Sequence, residues 1–207
     1  MTSTFEHFMK QANTEGTDYG DGFNASHFVG LTLSELGQAM LILEKRALSG
    51  DTVAINAVKF LGNDNAISIL SLVLEKVDII AMRSINQAAI EMYEITKNQE
   101  FLKRILDNLP KCSKQEKFHG VQLLCSVEYG DMFDIVKHTL NELVLTDNDE
   151  VIRHSAAKKI LLESGIQRNT QLYKDLIGKL TNNDRQIRLN ALDSLMELSG
   201  TGTLRKN

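Results

Sequence analysis

The chain has 207 residues, a formal net charge of −4 and a hydrophobic fraction of 43%, values ordinary for one or two globular domains. The negative balance argues against a protein dedicated to the phosphate backbone of nucleic acids, because such proteins carry a basic face. A single proline, the lack of tryptophan and apolar residues at helical spacing favour an all-α fold.

The amino terminus, MTSTFEHFMKQ, lacks the basic and apolar regions of a signal peptide. No stretch elsewhere is apolar for long enough to span a bilayer. The two cysteines, Cys112 and Cys125, are too few for a disulfide framework. We therefore expect a reduced, cytoplasmic protein without a membrane segment.

Residues 1–31 differ in composition from the rest and are predicted to form a cap segment that is partly loop. Residues 14–30 are rich in glycine and small polar residues, which is typical of a loop. The same loop carries the aromatic residues Tyr19, Phe23 and Phe28. Since stacked helices must cover their open end, we expect this segment to pack over the first helices. The alternative is that residues 14–30 belong to a binding site.

Helix signals recur along residues 32–200. Thr32 and Ser113 are each followed three residues later by glutamate, the pattern of a capping box. Asp51 is placed to cap a helix that runs to Leu61, and Pro110 ends another helix. The pattern predicts about ten helices, or roughly five helical pairs, followed by a flexible tail at residues 201–207.

One segment near the carboxyl end occurs twice. Residues 148–165 and 183–200 match at an offset of 35, from an Asn-Asp pair at the start to a Ser-Gly pair at the end. Each copy has the pattern Asp-x-x-Ile-Arg-x-x-Ala, beginning at Asp149 and at Asp184. A helix of similar length lies between them, at Thr170 to Leu180. Two helices in about 35 residues is the unit length of helical repeat proteins.

This pattern resembles the HEAT repeat. The residues from Ala54 to Leu70, with alanine, isoleucine and leucine at similar spacing, resemble the short bacterial HEAT-like repeats first noted in phycobilin lyases. The resemblance implies a right-handed α-α superhelix, a solenoid of about five helical pairs over residues 32–200. It also implies structural roles, as a ladder between neighbouring repeats, for Asp149, Arg153, Asp184 and Arg188. Only the fold, and no bilin chemistry, is carried over.

Residues for catalysis, cofactor binding or metal binding are not predicted at any position. The five histidines are not paired at metal-ligand spacing. Residues 18–24, with Asp18, Asp21 and Gly22, have some features of a calcium loop but lack the EF-hand spacing and its late glutamate. Phosphate-loop and serine-hydrolase motifs do not occur. We therefore expect a protein that is not an enzyme.

The favoured function is a non-enzymatic protein-binding module, such as an adaptor, an inhibitor or an immunity-type protein, which uses the concave face of the solenoid. The negative net charge favours a basic partner protein. Arg153, Lys158 and Arg188 are the candidate partner-binding residues. The alternative is a nucleic-acid-binding protein related in fold to the HEAT-like DNA glycosylases of alkylation repair.

The oligomeric state follows from the last predicted helix, which is apolar at Leu192, Leu195, Met196 and Leu198. We expect either a monomer or a weak homodimer through this helix.

Overall fold

The computed structural model describes residues 1–14, 22–76 and 81–200, and every regular element in these ranges is a helix. The chain divides into two compact units, Met1–Asn108 and Leu109–Asn207. Residues 201–207, predicted as a flexible tail, and residues 15–21 of the predicted cap loop lie outside the described ranges. None of the described helices is long and apolar enough to cross a membrane.

The first unit contains six α-helices and two short 3-10 helices within its described residues. The α-helices are α1 Ser3–Ala12, α2 Leu33–Leu48, α3 Thr52–Ala57, α4 Asn63–Glu75, α5 Met82–Thr96 and α6 Glu100–Asn108. The 3-10 helices are Ala25–His27 and Val58–Leu61.

The second unit contains five α-helices and two short 3-10 helices among its described residues. The α-helices are α7 Lys114–Ser126, α8 Phe133–Thr146, α9 Glu150–Glu163, α10 Gln171–Leu180 and α11 Arg185–Gly200. The 3-10 helices are Leu109–Lys111 and Gly130–Met132. The ten helices α2 to α11 confirm the predicted number between residues 32 and 200.

Local capping explains where several helices begin. Thr32 and Glu35 form both bonds of a capping box, and so do Ser113 and Glu116, which confirms these two predictions. The side chain of Asp51 caps α3 as predicted. The predicted helix to Leu61 is α-helical only to Ala57 and then tightens to a 3-10 turn, as helix ends commonly do.

The amino-terminal segment packs on the helices that follow it. Phe8 is fully buried, and its ring lies 5.3 Å from that of Phe23 and 5.6 Å from that of Phe28. Phe28 stacks on Phe60, which precedes α4. Glu35 of α2 accepts a hydrogen bond of 2.6 Å from the backbone N–H of Thr2. These contacts hold the described part of residues 1–31 against the helices that follow it in the first unit.

Helix α5 lies at the centre of the first unit, where it contacts α3, α4 and α6. All ten of its residues from 84 to 93 are buried. In the second unit, α9 contacts α7, α8 and α10, while α11 contacts α8 and α10. Ala156 and Ala157 on α9 are fully buried, and their small side chains let the neighbouring helices approach closely.

Side-chain hydrogen bonds within each unit join residues at a recurring distance along the sequence. In the first unit, Ser84 donates to the carbonyl of Gly50 and Asn56 donates to Glu91, over separations of 34 and 35 residues. In the second unit, the corresponding bond from Gln122 to Ser155 spans 33 residues. Helices about one such length apart in sequence therefore lie side by side.

Candidate functional site

A polar cleft of about 260 Å³ lies in the second unit between α7 and α9. Arg168, in the loop between α9 and α10, also contributes to the wall of this cleft. The lining residues are Gln122, Cys125, Ser126, His154, Ser155, Lys158, Lys159, Leu162 and Arg168. Four of them are basic and none carries a carboxylate, although the chain as a whole is acidic.

Lys159 is the one basic lining residue that forms an ion pair within the described structure. Its ammonium nitrogen lies 2.7 Å from Oε1 of Glu163 and 4.9 Å from the ring centroid of Tyr129. It also donates to the carbonyl of Cys125 at 3.3 Å. A cation with three such contacts fixes the end of α9 against α7 and leaves little charge for a ligand.

Lys158 and Arg168 carry the remaining permanent charges. Neither forms an ion pair or a side-chain hydrogen bond within the described ranges. Lys158 is half-buried and Arg168 is exposed. His154, one helical turn before Lys158, is also exposed. The cleft therefore presents two uncompensated positive charges with an imidazole beside them.

The floor of the cleft is held by hydrogen bonds inside the protein. Gln122 donates through Nε2 to Oγ of Ser155 at 2.9 Å, and that hydroxyl donates to the carbonyl of Val151 at 2.9 Å. The hydroxyl of Ser126 donates to the carbonyl of Leu123 at 2.7 Å. The first of these bonds links α7 to α9, and the other two lie within a single helix.

Burial raises the pKa of the Cys125 thiol to about 11. The group is therefore a neutral thiol near pH 7, and nucleophilic attack and metal binding both require the thiolate. Its Sγ lies 3.8 Å from the carbonyl oxygen of Ser155, which is the contact expected of a packed, weakly polar side chain.

Arg153, predicted both as a ladder residue and as a partner-binding residue, is only 3% exposed. Its Nη1 donates to the carbonyl of Asp147 at 3.0 Å. Its Nη2 donates to the carbonyl of Thr181 at 3.2 Å and to Oδ1 of Asn183 at 2.9 Å. The guanidinium group thus joins the start of α9 to the turn before α11.

Arg188 has a matching position and is 6% exposed. It donates to the carbonyl of Asn182 at 2.6 Å and to that of Asn183 at 2.9 Å. A third bond, of 2.8 Å, reaches the carbonyl of Leu145 in α8. Burial lowers the pKa of Arg188. Because both guanidinium groups are enclosed, Lys158 is the one predicted partner-binding residue that lies at an accessible surface.

Asp149 and Asp184 lie before α9 and α11. Oδ1 of Asp149 accepts from the backbone N–H of Val151 at 2.9 Å, and Oδ1 of Asp184 accepts from that of Gln186 at 2.7 Å. Asp149 also forms a salt bridge with Lys114 of α7. The hydrogen bond from Lys114 is the main reason that the pKa of Asp149 is lowered.

A second polar cluster, which the sequence pattern did not reveal, lies in the first unit. Glu91 is 4% exposed and accepts hydrogen bonds from Gln87 at 2.8 Å and from Asn56 at 3.1 Å. Lys59 lies 3.3 Å from its other oxygen. Burial raises the pKa of Glu91. The carboxyl group is fully engaged by protein groups, so this cluster stabilises the packing of α3 against α5.

Leu192 and Leu195 of α11, predicted to contribute to a homodimer, are 4% and 2% exposed and therefore belong to the core. Met196 is 53% exposed. Among the described residues, no group of three or more histidine, cysteine, aspartate or glutamate side chains is arranged to hold a metal ion.

No protein-family model, no curated protein and no solved structure matches this chain. The geometry of the cleft and of the repeated segment is therefore the basis for a functional proposal.

Proposed function

We propose that this chain is a HEAT-like helical repeat protein that binds a partner protein and catalyses no reaction. The bound element is an acidic segment of the partner, and the cleft between α7 and α9 receives it. The observation that carries the proposal is the pair of uncompensated cations, Lys158 and Arg168, in a cleft without a lining carboxylate.

The repeat assignment is supported by hydrogen bonds from backbone N–H groups to side chains that recur 35 residues apart. The side chain of Asp147 accepts from the N–H of Asp149 at 2.9 Å, and that of Asn182 accepts from the N–H of Asp184 at 2.8 Å. Both copies thus share the turn, the helix cap and a buried arginine. These equivalences, with the 33- to 35-residue spacing of bonds between helices, support a repeat of helical pairs, and the resemblance to HEAT repeats implies a right-handed α-α superhelix of about five pairs.

The absence of a reaction is proposed from the chemistry of the lining groups. The Cys125 thiol is neutral because its pKa is raised to about 11. The hydroxyls of Ser126 and Ser155 donate to backbone carbonyls, so neither is directed at a general base. An acyl or phosphoryl transfer site needs an activated nucleophile within reach of its base.

The acidic character of the partner segment is proposed from local charge. At physiological ionic strength, salt screens the interaction between exposed charges that lie more than about 8 Å apart. The net charge of the whole chain therefore has little effect on which segment the cleft favours. Within contact distance, the groups that line the cleft decide which partner is favoured. The net charge led us to expect a basic partner, but for this site we propose an acidic segment instead.

The test compares two matched double variants of the full chain. Lys158→Gln with Arg168→Gln removes the two cleft cations. Lys174→Gln with Lys179→Gln removes two exposed cations of α10 that do not line the cleft. Each tagged protein is used to capture binding proteins from native extract with and without nuclease digestion, and the recovered proteins are quantified.

A protein retained by the wild type and by the α10 variant, but lost with the cleft variant, supports the proposal. If all three retain the same proteins, binding does not use the cleft and the proposal fails. If binding requires undigested nucleic acid and weakens steeply as salt rises, the nucleic-acid alternative replaces it.

A further inference from the structure

We propose that the cleft between α7 and α9 binds a phosphate monoester carried on a side chain of the partner protein. The proposal rests on the proposed function of this cleft and specifies the anion within the acidic segment. Lys158 and Arg168 hold the phosphate oxygens, and His154 lies beside them.

The charges of the cleft match a dianion. A phosphorylated side chain carries about −1.5 to −2 charges at pH 7 and offers three acceptor oxygens. Lys158 and Arg168 supply two positive charges without partners in the described ranges. A single carboxylate would leave one of these charges uncompensated, so it forms the weaker complex.

The size of the cleft favours one compact group. Its volume of about 260 Å³ is below the roughly 300–1,000 Å³ of pockets that enclose drug-sized ligands. A phosphorylated serine side chain fits this volume, whereas a run of several carboxylates needs a longer surface. The described lining has no phenylalanine, tyrosine or tryptophan ring on which a nucleotide base could stack.

The neighbouring carboxylate is already neutralised. Glu163, four residues after Lys159, forms a 2.7 Å ion pair with it. That pair offsets the charge of Glu163 within α9 and leaves the two cleft cations to the ligand. Lys158 projects from α9 while Arg168 comes from the following loop, so an anion is held from two separate backbone segments.

The two walls of the cleft are joined by hydrogen bonds within the protein. The bond between Gln122 and Ser155, and that from Lys159 to the carbonyl of Cys125, connect α7 with α9. A site whose supporting residues are already bonded loses little conformational entropy on binding.

The experiment uses the full chain and three immobilised peptide libraries with degenerate flanking residues. The central residue is phosphoserine, serine or glutamate, and ionic strength is held constant. We expect retention on the phosphoserine library that exceeds retention on the other two at least tenfold. Lys158→Gln and Arg168→Gln should each weaken binding roughly tenfold, since each removes a charge-assisted bond. Lys174→Gln is the matched control and should bind as the wild type does.

A second measurement locates the bound group. Phosphoserine peptides and free O-phosphoserine are titrated into isotope-labelled protein, and backbone amide shifts are followed by NMR. Shifts confined to the end of α7, to α9 and to the loop that carries Arg168, with far tighter binding of the peptide than of free O-phosphoserine, support the proposal. Lys158→Arg should retain binding, which separates loss of charge from loss of structure.

Each contrary outcome has a distinct meaning. Equal retention of the glutamate and phosphoserine libraries overturns the phosphate inference and leaves the acidic-segment function standing. Equal affinity for free O-phosphoserine and for the peptides overturns the assignment to a partner protein. Failure to bind any library overturns the phosphate inference, while the function itself is decided by the capture experiment with the matched double variants.

Discussion

Arg153 and Arg188, 35 residues apart, each donate through Nη1 to the carbonyl six residues earlier, at Asp147 and Asn182 respectively. Each guanidinium also reaches a segment outside its own helix, Thr181 for the first and Leu145 for the second. Each copy of the repeated segment therefore has a buried arginine, which closes the turn before its own helix and connects that turn to a neighbouring segment.

Replacement of Arg153 by alanine is expected to lower the free energy of unfolding by about 3 kcal/mol, because buried acceptors lose a charged donor. Arg185→Ala is the control, since this arginine is exposed at the start of α11, and should change stability by less than about 0.5 kcal/mol. Chemical denaturation followed by circular dichroism measures both. Equal stability of the two variants would show that the buried contacts contribute nothing net.

Glu35 is expected to make the first unit acid-sensitive. The N–H groups of Thr32 and Thr2 hold the pKa of Glu35 near 2, below its ordinary value of 4.5. Because the folded pKa is depressed, the contribution is present above about pH 4.5 and is lost as pH falls towards 2. The stability difference between wild type and Glu35→Gln should therefore shrink over this range.

Urea titrations at several pH values measure this difference. Glu6→Gln, at an exposed glutamate of α1, serves as the control. A difference for Glu35→Gln that is constant from pH 6 to pH 2 would contradict the assignment.

His27 is expected to protonate less readily in the folded protein than in the unfolded chain. Burial lowers its pKa below 6.5, and His7, whose ring lies 4.1 Å away, lowers it further. Because the pKa of His27 is lower in the folded protein than in the unfolded chain, the fold favours the neutral ring, and the stability that this contributes is lost as pH falls below 6.5. Two-dimensional NMR of the histidine rings should give a midpoint for His27 below 6.5, and a midpoint above 6.5 would refute the prediction. His27→Gln identifies the resonance.

Cys125 is expected to react slowly with thiol reagents. Its pKa of about 11 leaves very little thiolate at pH 8, and the thiolate is the reactive form. In a Cys112→Ser variant, iodoacetamide labelling followed by mass spectrometry should be at least tenfold slower for the folded protein than in denaturant. Equal rates in the two states would mean that the thiol is not protected by burial.

Several features of the fold could be predicted from sequence because they depend on short-range chemistry. The capping boxes at Thr32 and Ser113, the cap at Asp51 and the helix over residues 171–180 follow from residues within one or two turns. The turn glycine Gly165 has φ of +76°, a conformation that glycine adopts at little cost.

The site was predicted less completely. Of the three residues predicted to bind a partner, Arg153 and Arg188 are buried, and Lys158 lines the proposed cleft. The polar residues of α5 that are buried, including Glu91, lie outside the apolar pattern of that helix, so their burial was not predicted. Gln87 and Glu91, four residues apart, are a local signal that could have indicated a pair.

The sequence by itself determined the helical class, most helix starts and the 35-residue equivalence, because capping and periodicity act between neighbouring residues. Only the tertiary structure decided which charged groups are enclosed and which are free. Gln122 meets Ser155 across 33 residues, and Lys159 donates to the carbonyl of Cys125 across 34 residues, while Lys158 beside it forms no ion pair or side-chain hydrogen bond within the described ranges. Adjacent lysines have the same chemistry in the sequence, and the packing of α7 against α9 is what separates their roles.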